Sequence, residues 1–390
     1  MRTPVTLLLI GSVVGVGSCS KSKTDPEMLA RVATMSECFP DLFAKFEVVL
    51  DAASAWRMNV NAIPADPIGL TWSELGQTYY GGSQGDNLGY SVAGVGDVDK
   101  DGHDDIIVGA RVEDSGNIPN AGSARVRSGA DGSLLYAFYG DWSFGQFGRA
   151  VAGAGDVNQD GYPDVIVGAF SASVNGTSSG VARVLSGQDG SILHTLYGES
   201  EGDWFGWSVA GAGDVNQDGY ADVIVGSLVE DDNGIGAGGA RVFSGFDGSI
   251  LHTVLGDSAR DQFGSSVAGV GDVDLDGHDD FIIGARGAFH NGSNPGSARV
   301  FSGVDGSILY TFYGDSDGGE FGNSVDCAGD VNRDGYPDFL IGAPDDHSSG
   351  VNSGSARVLS GADGSTIYTV PWRLKRPPWG LRRWRRGCEP

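Results

Sequence analysis

This sequence has few of the residues that build most catalytic and zinc centres. Its 390 residues include four cysteines and six histidines. Cys38, Cys327 and Cys388 give no disulfide framework, and no cluster of cysteines and histidines has zinc-binding spacing. Cys327 stands where other copies of a repeat carry a small residue, which predicts a buried core thiol. These scarcities argue against an enzyme; an acid/base pair built on His290 or His347 is the catalytic alternative.

Positive charge is scarce except at the C-terminal end. The net charge is −26, although residues 371–390 hold seven basic residues and a single acid, Glu389. The rest of the chain is therefore more acidic still, which argues against nucleic-acid binding. The N-terminal apolar run, Val5 to Val16, is too short to span a bilayer comfortably. With Met1-Arg2 before it and small residues after it, the run predicts a secretory signal over residues 1–19.

Two further predictions concern the end of this signal and the segment after it. Val16-Gly17-Ser18-Cys19 resembles a bacterial lipobox, which predicts a lipid on Cys19 and a place on the outer surface or the periplasmic membrane face. An ordinary cleaved signal with an incidental cysteine is the alternative. Residues 20–66 predict a helical spacer, because Asp25-Pro26 can begin a helix and Phe39 to Met58 carry apolar residues at helical spacing.

Glycine and one acidic loop are what the sequence has in abundance. The 65 glycines favour short strands joined by many turns. The acidic segment that begins at Asp97 recurs at Asp156, Asp214, Asp272 and Asp330, at intervals of 59, 58, 58 and 58 residues. An interval this regular indicates one structural unit repeated five times.

Each repeat contains four short strands, which we call A to D. The acidic loop joins A to B, and a turn with an Asp-Gly pair, such as Asp247-Gly248, joins C to D. A four-stranded sheet that cannot bury both faces alone must stack on its neighbours, and stacking around an axis gives a propeller. The sequence therefore predicts an all-β propeller over residues 67–370 with five complete repeats. A solenoid would need shorter repeats, and separate sandwiches would need more strands.

The repeats resemble a known family. Phe147-Gly148 precedes an acidic loop that Gly168-Ala169 follows, and the same order recurs at Phe205-Gly206, Phe263-Gly264 and Phe321-Gly322. These pairs are similar to FG-GAP repeats, as in the integrin alpha-chain propeller. The lipobox indicates a bacterial type. The resemblance implies a calcium-binding β-propeller that serves mostly in extracellular recognition.

The acidic loops have the donors that a calcium ion needs. Calcium takes six to eight oxygen ligands, and carboxylates at loop positions 1, 3 and 5 converge when a glycine at position 6 permits a sharp turn. Here a backbone carbonyl at position 7 and an aspartate at position 9 complete the set, so about five Ca²⁺ sites are expected. Turn formation alone is the alternative. The expected ligands are Asp97, Asp99, Asp101, His103 and Asp105; Asp156, Asn158, Asp160, Tyr162 and Asp164; Asp214, Asn216, Asp218, Tyr220 and Asp222; Asp272, Asp274, Asp276, His278 and Asp280; and Asp330, Asn332, Asp334, Tyr336 and Asp338.

The two ends of the expected blades differ in sequence variation. The A-to-B loop and the C-to-D turn are almost the same in every copy, whereas the B-to-C segments differ, as Leu228 to Gly238 differs from Arg286 to Pro295. Ligand recognition is therefore expected on the face opposite the acidic loops. Trp142, Phe144 and Trp204 are candidate contact residues there, and Trp207 is expected to pack between blades.

The ends of the repeat region depart from the pattern. Leu70 to Tyr80 matches a lone strand D, which predicts a ring closed through the N-terminal strand. Residues 371–390 form a basic tail, and Trp372, Trp379 and Trp384 have nearly the spacing of the repeat glycines. Reading one nucleotide later turns a tryptophan codon into a glycine codon. The tail is therefore expected to be a frameshift product that interrupts a sixth loop, in a protein of six or seven blades.

Taken together, these patterns predict a calcium-stabilised extracellular propeller that recognises a protein or mediates adhesion without catalysis. A lectin-like or polysaccharide-processing propeller is the alternative, so the expected partner is an extracellular protein or glycan. Membrane contact is expected only through a lipid on Cys19.

Overall fold

The computed structural model describes residues 79–371 and, as backbone, Glu47–Val49 and Arg57–Asn59. The chain divides into two units, Met1–Thr78 and Tyr79–Pro390. In the first unit, β1 (Glu47–Val49) pairs with β2 (Arg57–Asn59) in antiparallel register. These two segments are extended rather than helical, and Val48 and Val49 of β1 favour an extended backbone. The helical spacer over the rest of residues 20–66 stays a prediction. The signal, Cys19 and the rest of the spacer lie outside the described residues.

The described part of the second unit, residues 79–371, forms five four-stranded antiparallel sheets, each built from strands that are consecutive in sequence. This confirms the all-β fold with four-stranded blades. The strands are β3 (Leu88–Gly96), β4 (Asp105–Ala110), β5 (Ser123–Arg127) and β6 (Leu134–Tyr139); β7 (Ala150–Gly155), β8 (Asp164–Ala169), β9 (Val181–Leu185) and β10 (Ile192–Tyr197); β11 (Phe205–Gly213), β12 (Asp222–Ser227), β13 (Gly239–Phe243) and β14 (Ile250–Leu255); β15 (Phe263–Gly271), β16 (Asp280–Ala285), β17 (Ser297–Phe301) and β18 (Ile308–Tyr313); β19 (Ser324–Gly329), β20 (Asp338–Ala343), β21 (Ser355–Leu359) and β22 (Thr366–Pro371).

The first strands of the five sheets form a continuous row. Strand β3 packs against β7, β7 against β11, β11 against β15, and β15 against β19. The sheets therefore lie beside one another as the blades of a propeller do. Closure of the ring remains a prediction, because Tyr79 and Tyr80 form no strand and the rest of the expected closing strand lies outside the described residues. The tail beyond residue 371 lies outside them as well.

The core lies between neighbouring sheets. The second strand of a blade has a continuous apolar run in its middle, as in Val223, Ile224 and Val225 of β12, and all three side chains are buried. Strands covered on both faces show continuous apolar runs rather than alternation. The next blade supplies part of this cover, and Phe263, which begins β15, packs with Ile224 and Val242.

The Phe-Gly pair of each blade is joined to the blade before it. The backbone nitrogen of Phe263 donates to the carbonyl of Ala237, at 2.9 Å, and Phe205 and Phe321 make the same bond to the preceding blade. The four phenylalanines at this position are fully buried. The pair is therefore an interlock between consecutive repeats and not merely the start of a strand.

Two further findings concern the edges of the second unit. Cys327 is exposed on β19, so the expected core thiol is wrong. The described residues pack a blade against only one side of β19, where Sγ of Cys327 lies 3.7 Å from the carbonyl oxygen of Val270, and the rest of the side chain is exposed. Within the described ranges, no helix is long and apolar enough to cross a membrane.

Candidate functional site

The five acidic loops occupy the same place in every blade, between the first and second strands. The glycine at position 6 has a positive φ in each loop, from 83° at Gly161 to 97° at Gly277, as the sharp turn requires. The residue at position 4 is also left-handed, for example Leu275 with φ 61°. Sequence reasoning missed this second constraint, because no residue type marks it.

Backbone amides hold the carboxylates of positions 1 and 5 in place. In the fourth loop, the amide of Gly277 donates to Asp272 at 2.8 Å, and the amide of His278 donates to Asp276 at 2.9 Å. The other four loops make the same two bonds. These hydrogen bonds fix the orientation of each carboxylate before an ion binds, which lowers the entropic cost of forming a metal site.

The aspartate at position 9 is buried and ties two loops together. In the third blade, Asp222 accepts hydrogen bonds from the amide of Val215 at 2.8 Å and from that of Gly245, in the C-to-D turn, at 2.9 Å. Burial raises the pKa of Asp164, Asp222 and Asp280 to about 6, against the lowering effect of these hydrogen bonds. A cation in the loop would favour the charged form of each carboxyl.

The carboxylates of the first and fourth loops lie close enough together to hold a hard cation. Carboxylate oxygens of Asp97, Asp99 and Asp105 lie within 4.8 Å of one another, as do those of Asp272, Asp274 and Asp276. Oδ1 of Asp97 is buried and has no hydrogen-bond partner. A buried carboxylate oxygen without a partner is costly unless an ion neutralises it. The first and fourth loops therefore fit a hard cation such as Ca²⁺.

The other three loops replace the aspartate at position 3 by asparagine. The amide nitrogen of Asn158 donates to Asp160 at 2.9 Å, and Asn216 and Asn332 make the equivalent bond. These loops bring together two carboxylates and an amide, with the buried aspartate at position 9. They offer oxygen donors with one negative charge fewer than the first and fourth loops.

Three of the side chains at position 7 make contacts outside their own loops. Nδ1 of His278 lies 2.8 Å from the carbonyl oxygen of Val215 in the preceding blade, Lys100 lies over the ring of Tyr162 at 3.6 Å, and Tyr220 contacts Phe246. These side chains bridge blades or pack against turns. In these three loops the backbone carbonyl at position 7, and not the side chain, stays the predicted ligand.

A cavity of about 400 Å³ lies at the opposite end of the sheets. The residue after the Phe-Gly glycine of each blade lines it, together with Arg286 from the end of β16 and valines from the first strands. The five repeat-equivalent residues are Tyr90, Arg149, Trp207, Ser265 and Asn323. Because this position differs in every repeat, the five blades present five different side chains to one space.

Cationic and aromatic side chains alternate along one wall of this cavity. The guanidinium of Arg149 lies 4.0 Å from the ring centre of Trp207 and 5.0 Å from that of Tyr90, and Arg111 lies over Tyr90 at 4.1 Å. Trp207 also stacks on Trp204, with ring centres 5.5 Å apart. These contacts fix the side chains in one arrangement.

The aromatic residues that the sequence suggested as ligand contacts differ in their surroundings: some pack against other side chains and one is exposed. Phe144 is exposed, whereas Trp142 packs beside the core of the first two blades. Trp204 and Trp207 pack edge-on against Phe170, which agrees with the expectation that Trp207 packs between blades. No sequence pattern had singled out Tyr90 or Arg149. The signal that could have found them is their place directly after the Phe-Gly glycine.

The histidines lie apart from one another. His194 and His252 bridge blades, with Nε2 2.6 Å from the carbonyl oxygen of Gly245 and 2.7 Å from that of Gly303. Tyr310 makes the equivalent bond to the next blade through its hydroxyl. His290 stacks on Tyr313, with ring centres 3.7 Å apart. The repeat-equivalent histidines therefore connect blades.

Comparison with known proteins relates the repeats to one family. The family model described as FG-GAP repeat matches residues 88–126, 147–185, 205–243, 263–301 and 321–359. The chain is similar to integrin alpha-5 of Xenopus laevis, 32% identical over 213 residues that cover 50% of this chain and 20% of that protein. It is also similar to integrin alpha pat-2 of Caenorhabditis elegans, 36% identical over 166 residues that cover 37% of this chain and 13% of that protein. The chain thus spans a fifth or less of the length of these relatives.

Proposed function

Because this chain belongs to the FG-GAP repeat family, we propose that it is an extracellular protein that binds another protein without catalysing a reaction, in recognition or adhesion. One observation carries the proposal: the two ends of the sheets differ. One end repeats a single acidic loop five times, and the other presents unlike segments around a cavity lined by five different side chains. A rigid scaffold with variation at one end is typical of binding proteins.

The proposal gives the acidic loops a structural role as Ca²⁺ sites. The side chains of positions 1, 3, 5 and 9 and the main chain of position 7 would hold each ion. Bound Ca²⁺ would neutralise the clustered carboxylates. In each loop the aspartate at position 9 holds the A-to-B loop against the C-to-D turn, as Asp222 does through Val215 and Gly245. The ions would thereby stabilise the blades on which the opposite face is built.

The proposed location is the cell envelope or its exterior, with Cys19 as a lipid anchor. Radiolabelled palmitate fed to a bacterial host that expresses the full chain should enter the wild-type protein. It should not enter Cys19→Ser. Equal labelling of both proteins would contradict the anchor and leave the binding proposal intact.

Binding to arrays of extracellular proteins and of glycans, in Ca²⁺ and in EGTA, tests the function. Binding to a protein in Ca²⁺ supports the proposal. Binding to glycans alone would favour a lectin, and release of a product from a polysaccharide would favour an enzyme.

Paired surface variants then test which face binds. Ile235 and Phe144 are exposed in the variable segments, and Phe246 is similarly exposed beside an acidic loop. Ile235→Ser and Phe144→Ser should weaken binding to the array partner, whereas Phe246→Ser should not. The reverse pattern would contradict the assignment of the face.

A further inference from the structure

Two groups of arginines stand out among the described residues. Five arginines at equivalent positions of the third strands form ion pairs with Asp or Glu: Arg125, Arg183, Arg241, Arg299 and Arg357. Within residues 79–371, Arg111, Arg149 and Arg286 have no carboxylate partner. All three lie at the end of the sheets that holds the cavity, and Arg149 and Arg286 line it.

The polar atoms of these three arginines are only partly satisfied. Arg111 donates to Gln146 at 3.2 Å, but its Nε is buried and has no partner. Arg286 donates to Gln262 at 2.7 Å and more weakly to Asn323 at 3.4 Å. The guanidinium of Arg149 makes its described contacts with the rings of Tyr90 and Trp207. Its donors are therefore available to an incoming acceptor.

The three positive charges also repel one another. Burial lowers the pKa of Arg149, and Arg111 and Arg286 lower it further against an opposite effect of Tyr90. Such a cluster is unfavourable in the free protein, and it stands out in a chain of net charge −26. A negative group placed among the guanidiniums would relieve the repulsion and accept charge-assisted hydrogen bonds.

We propose that this cavity binds one carboxylate, the side chain of an aspartate or glutamate presented by a partner protein, and that Arg149 and Arg286 hold it. This inference rests on the proposed function, since it names the group by which the partner is recognised. Arg111 is a positioning residue. It lies over Tyr90, which in turn contacts Arg149.

Two observations favour a peptide carboxylate over an acidic polysaccharide. Asp231, Asp232 and Asp317 are exposed in the loops at the same end of the sheets, so a polyanion would meet repulsion outside the cavity. The ring of Trp207 is also in contact with both Arg149 and Trp204, which leaves little of its surface for a sugar ring. A single carboxylate on an otherwise neutral segment meets neither obstacle.

Tryptophan fluorescence can test the proposal, because Trp207 and Trp204 lie at the cavity. The full chain in Ca²⁺ is titrated with the blocked heptapeptide Gly-Ser-Gly-Glu-Gly-Ser-Gly and with the same peptide carrying Gln in place of Glu. The Glu peptide should produce a saturable change, and the Gln peptide should not. Loss of a charge-assisted hydrogen bond should weaken binding at least about tenfold in Arg149→Gln and in Arg286→Gln.

Arg260→Gln is the matched control, since it removes the same charge from an exposed arginine that does not line the cavity. It should keep the affinity of the wild type within about twofold, because an exposed charge is screened by salt. Equal responses to the two peptides, no response to either, or an unchanged affinity in Arg149→Gln would overturn the proposal. A response to polygalacturonate alone would overturn it as well. If a protein partner from the arrays still binds Arg149→Gln fully, this inference fails while the proposed function stands.

Discussion

The carbonyl group of Gly322 fills the space that a side chain on Gly284 would need. A Cβ on Gly284 would meet the carbonyl oxygen of Gly322 well inside contact distance, and its carbonyl carbon at 3.0 Å. Gly284 is the next-to-last residue of the second strand of one blade, and Gly322 belongs to the Phe-Gly pair of the next. The two glycine-containing motifs of the repeat are therefore two sides of one contact between blades.

This contact predicts that Gly284→Ala destabilises the protein by about 2 kcal/mol or more, because backbone atoms must move to admit the methyl group. Gly342→Ala is the matched control: a Cβ there would meet the hydroxyl of Ser324, as one on Gly284 would meet that of Ser266, but no carbonyl of a following blade. It should cost less than about 1 kcal/mol, since a serine side chain can rotate. Urea unfolding measures both; equal costs would contradict the interlock.

The ion pairs of the third strands should differ in their importance. Arg241 and Glu230 are both buried and joined by two hydrogen bonds, of 2.5 and 2.9 Å. Glu230→Gln should cost about 3 kcal/mol, because it leaves the buried guanidinium with only the more distant, exposed carboxylate of Glu199, at 3.4 Å, as a counter-charge.

The equivalent arginine of the last described blade, Arg357, pairs instead with Asp315, a carboxylate that lies 42 residues earlier in the chain and is exposed. Asp315→Asn should therefore change the free energy of unfolding by less than about 1 kcal/mol. Chemical denaturation of the two variants beside the wild type makes the comparison. A smaller cost for Glu230→Gln than for Asp315→Asn would show that burial does not decide the strength of these pairs.

Asp346 should contribute to stability in a pH-dependent way. Burial raises its pKa, but hydrogen bonds from Ser316, Ser348 and Ser355 outweigh burial and hold the pKa well below the usual 3.8. A carboxyl whose pKa is lower in the folded state stabilises the protein above its unfolded pKa. That stabilisation is lost as the pH falls below about 4.

We therefore expect the unfolding free energy of the wild type to fall more between pH 5 and pH 2 than that of Asp346→Asn. Asp345→Asn is the neighbouring control and should keep the pH profile of the wild type, since the described residues give its carboxylate no hydrogen bond. Thermal unfolding across this range supplies the data. Parallel profiles for the wild type and Asp346→Asn would contradict this account of the carboxyl.

The repeated loops made the blade architecture predictable from the sequence. The glycines at position 6, the Asp-Gly turns and the four strands of each blade were all predicted and are confirmed, because each leaves a fixed residue type at a fixed interval. The FG-GAP resemblance is confirmed by the family match. The bacterial type and the lipid on Cys19 stay predictions.

The cavity could not be predicted in the same way. It is made of positions at which the repeats differ, such as Tyr90, Arg149 and Trp207, and only the packing of five blades brings them together. The exposure of Cys327 has a similar cause, since it depends on which blades cover β19 and not on the local sequence. Contacts that involve the variable positions of the repeats leave no periodic signal, unlike the contact between the Phe-Gly pair and the preceding blade.

The most direct test of the account is the difference in melting temperature between excess Ca²⁺ and excess EGTA. If Ca²⁺ in the acidic loops stabilises the fold, the melting temperature is lower in EGTA. An ion that binds only the folded state adds about 2.7 kcal/mol per site to the free energy of unfolding at a hundredfold excess over its Kd. The difference should shrink when one loop is disabled by Asp272→Asn with Asp276→Asn, and stay unchanged in Arg149→Gln. An identical melting temperature for the wild type in Ca²⁺ and in EGTA would contradict the structural role of the acidic loops.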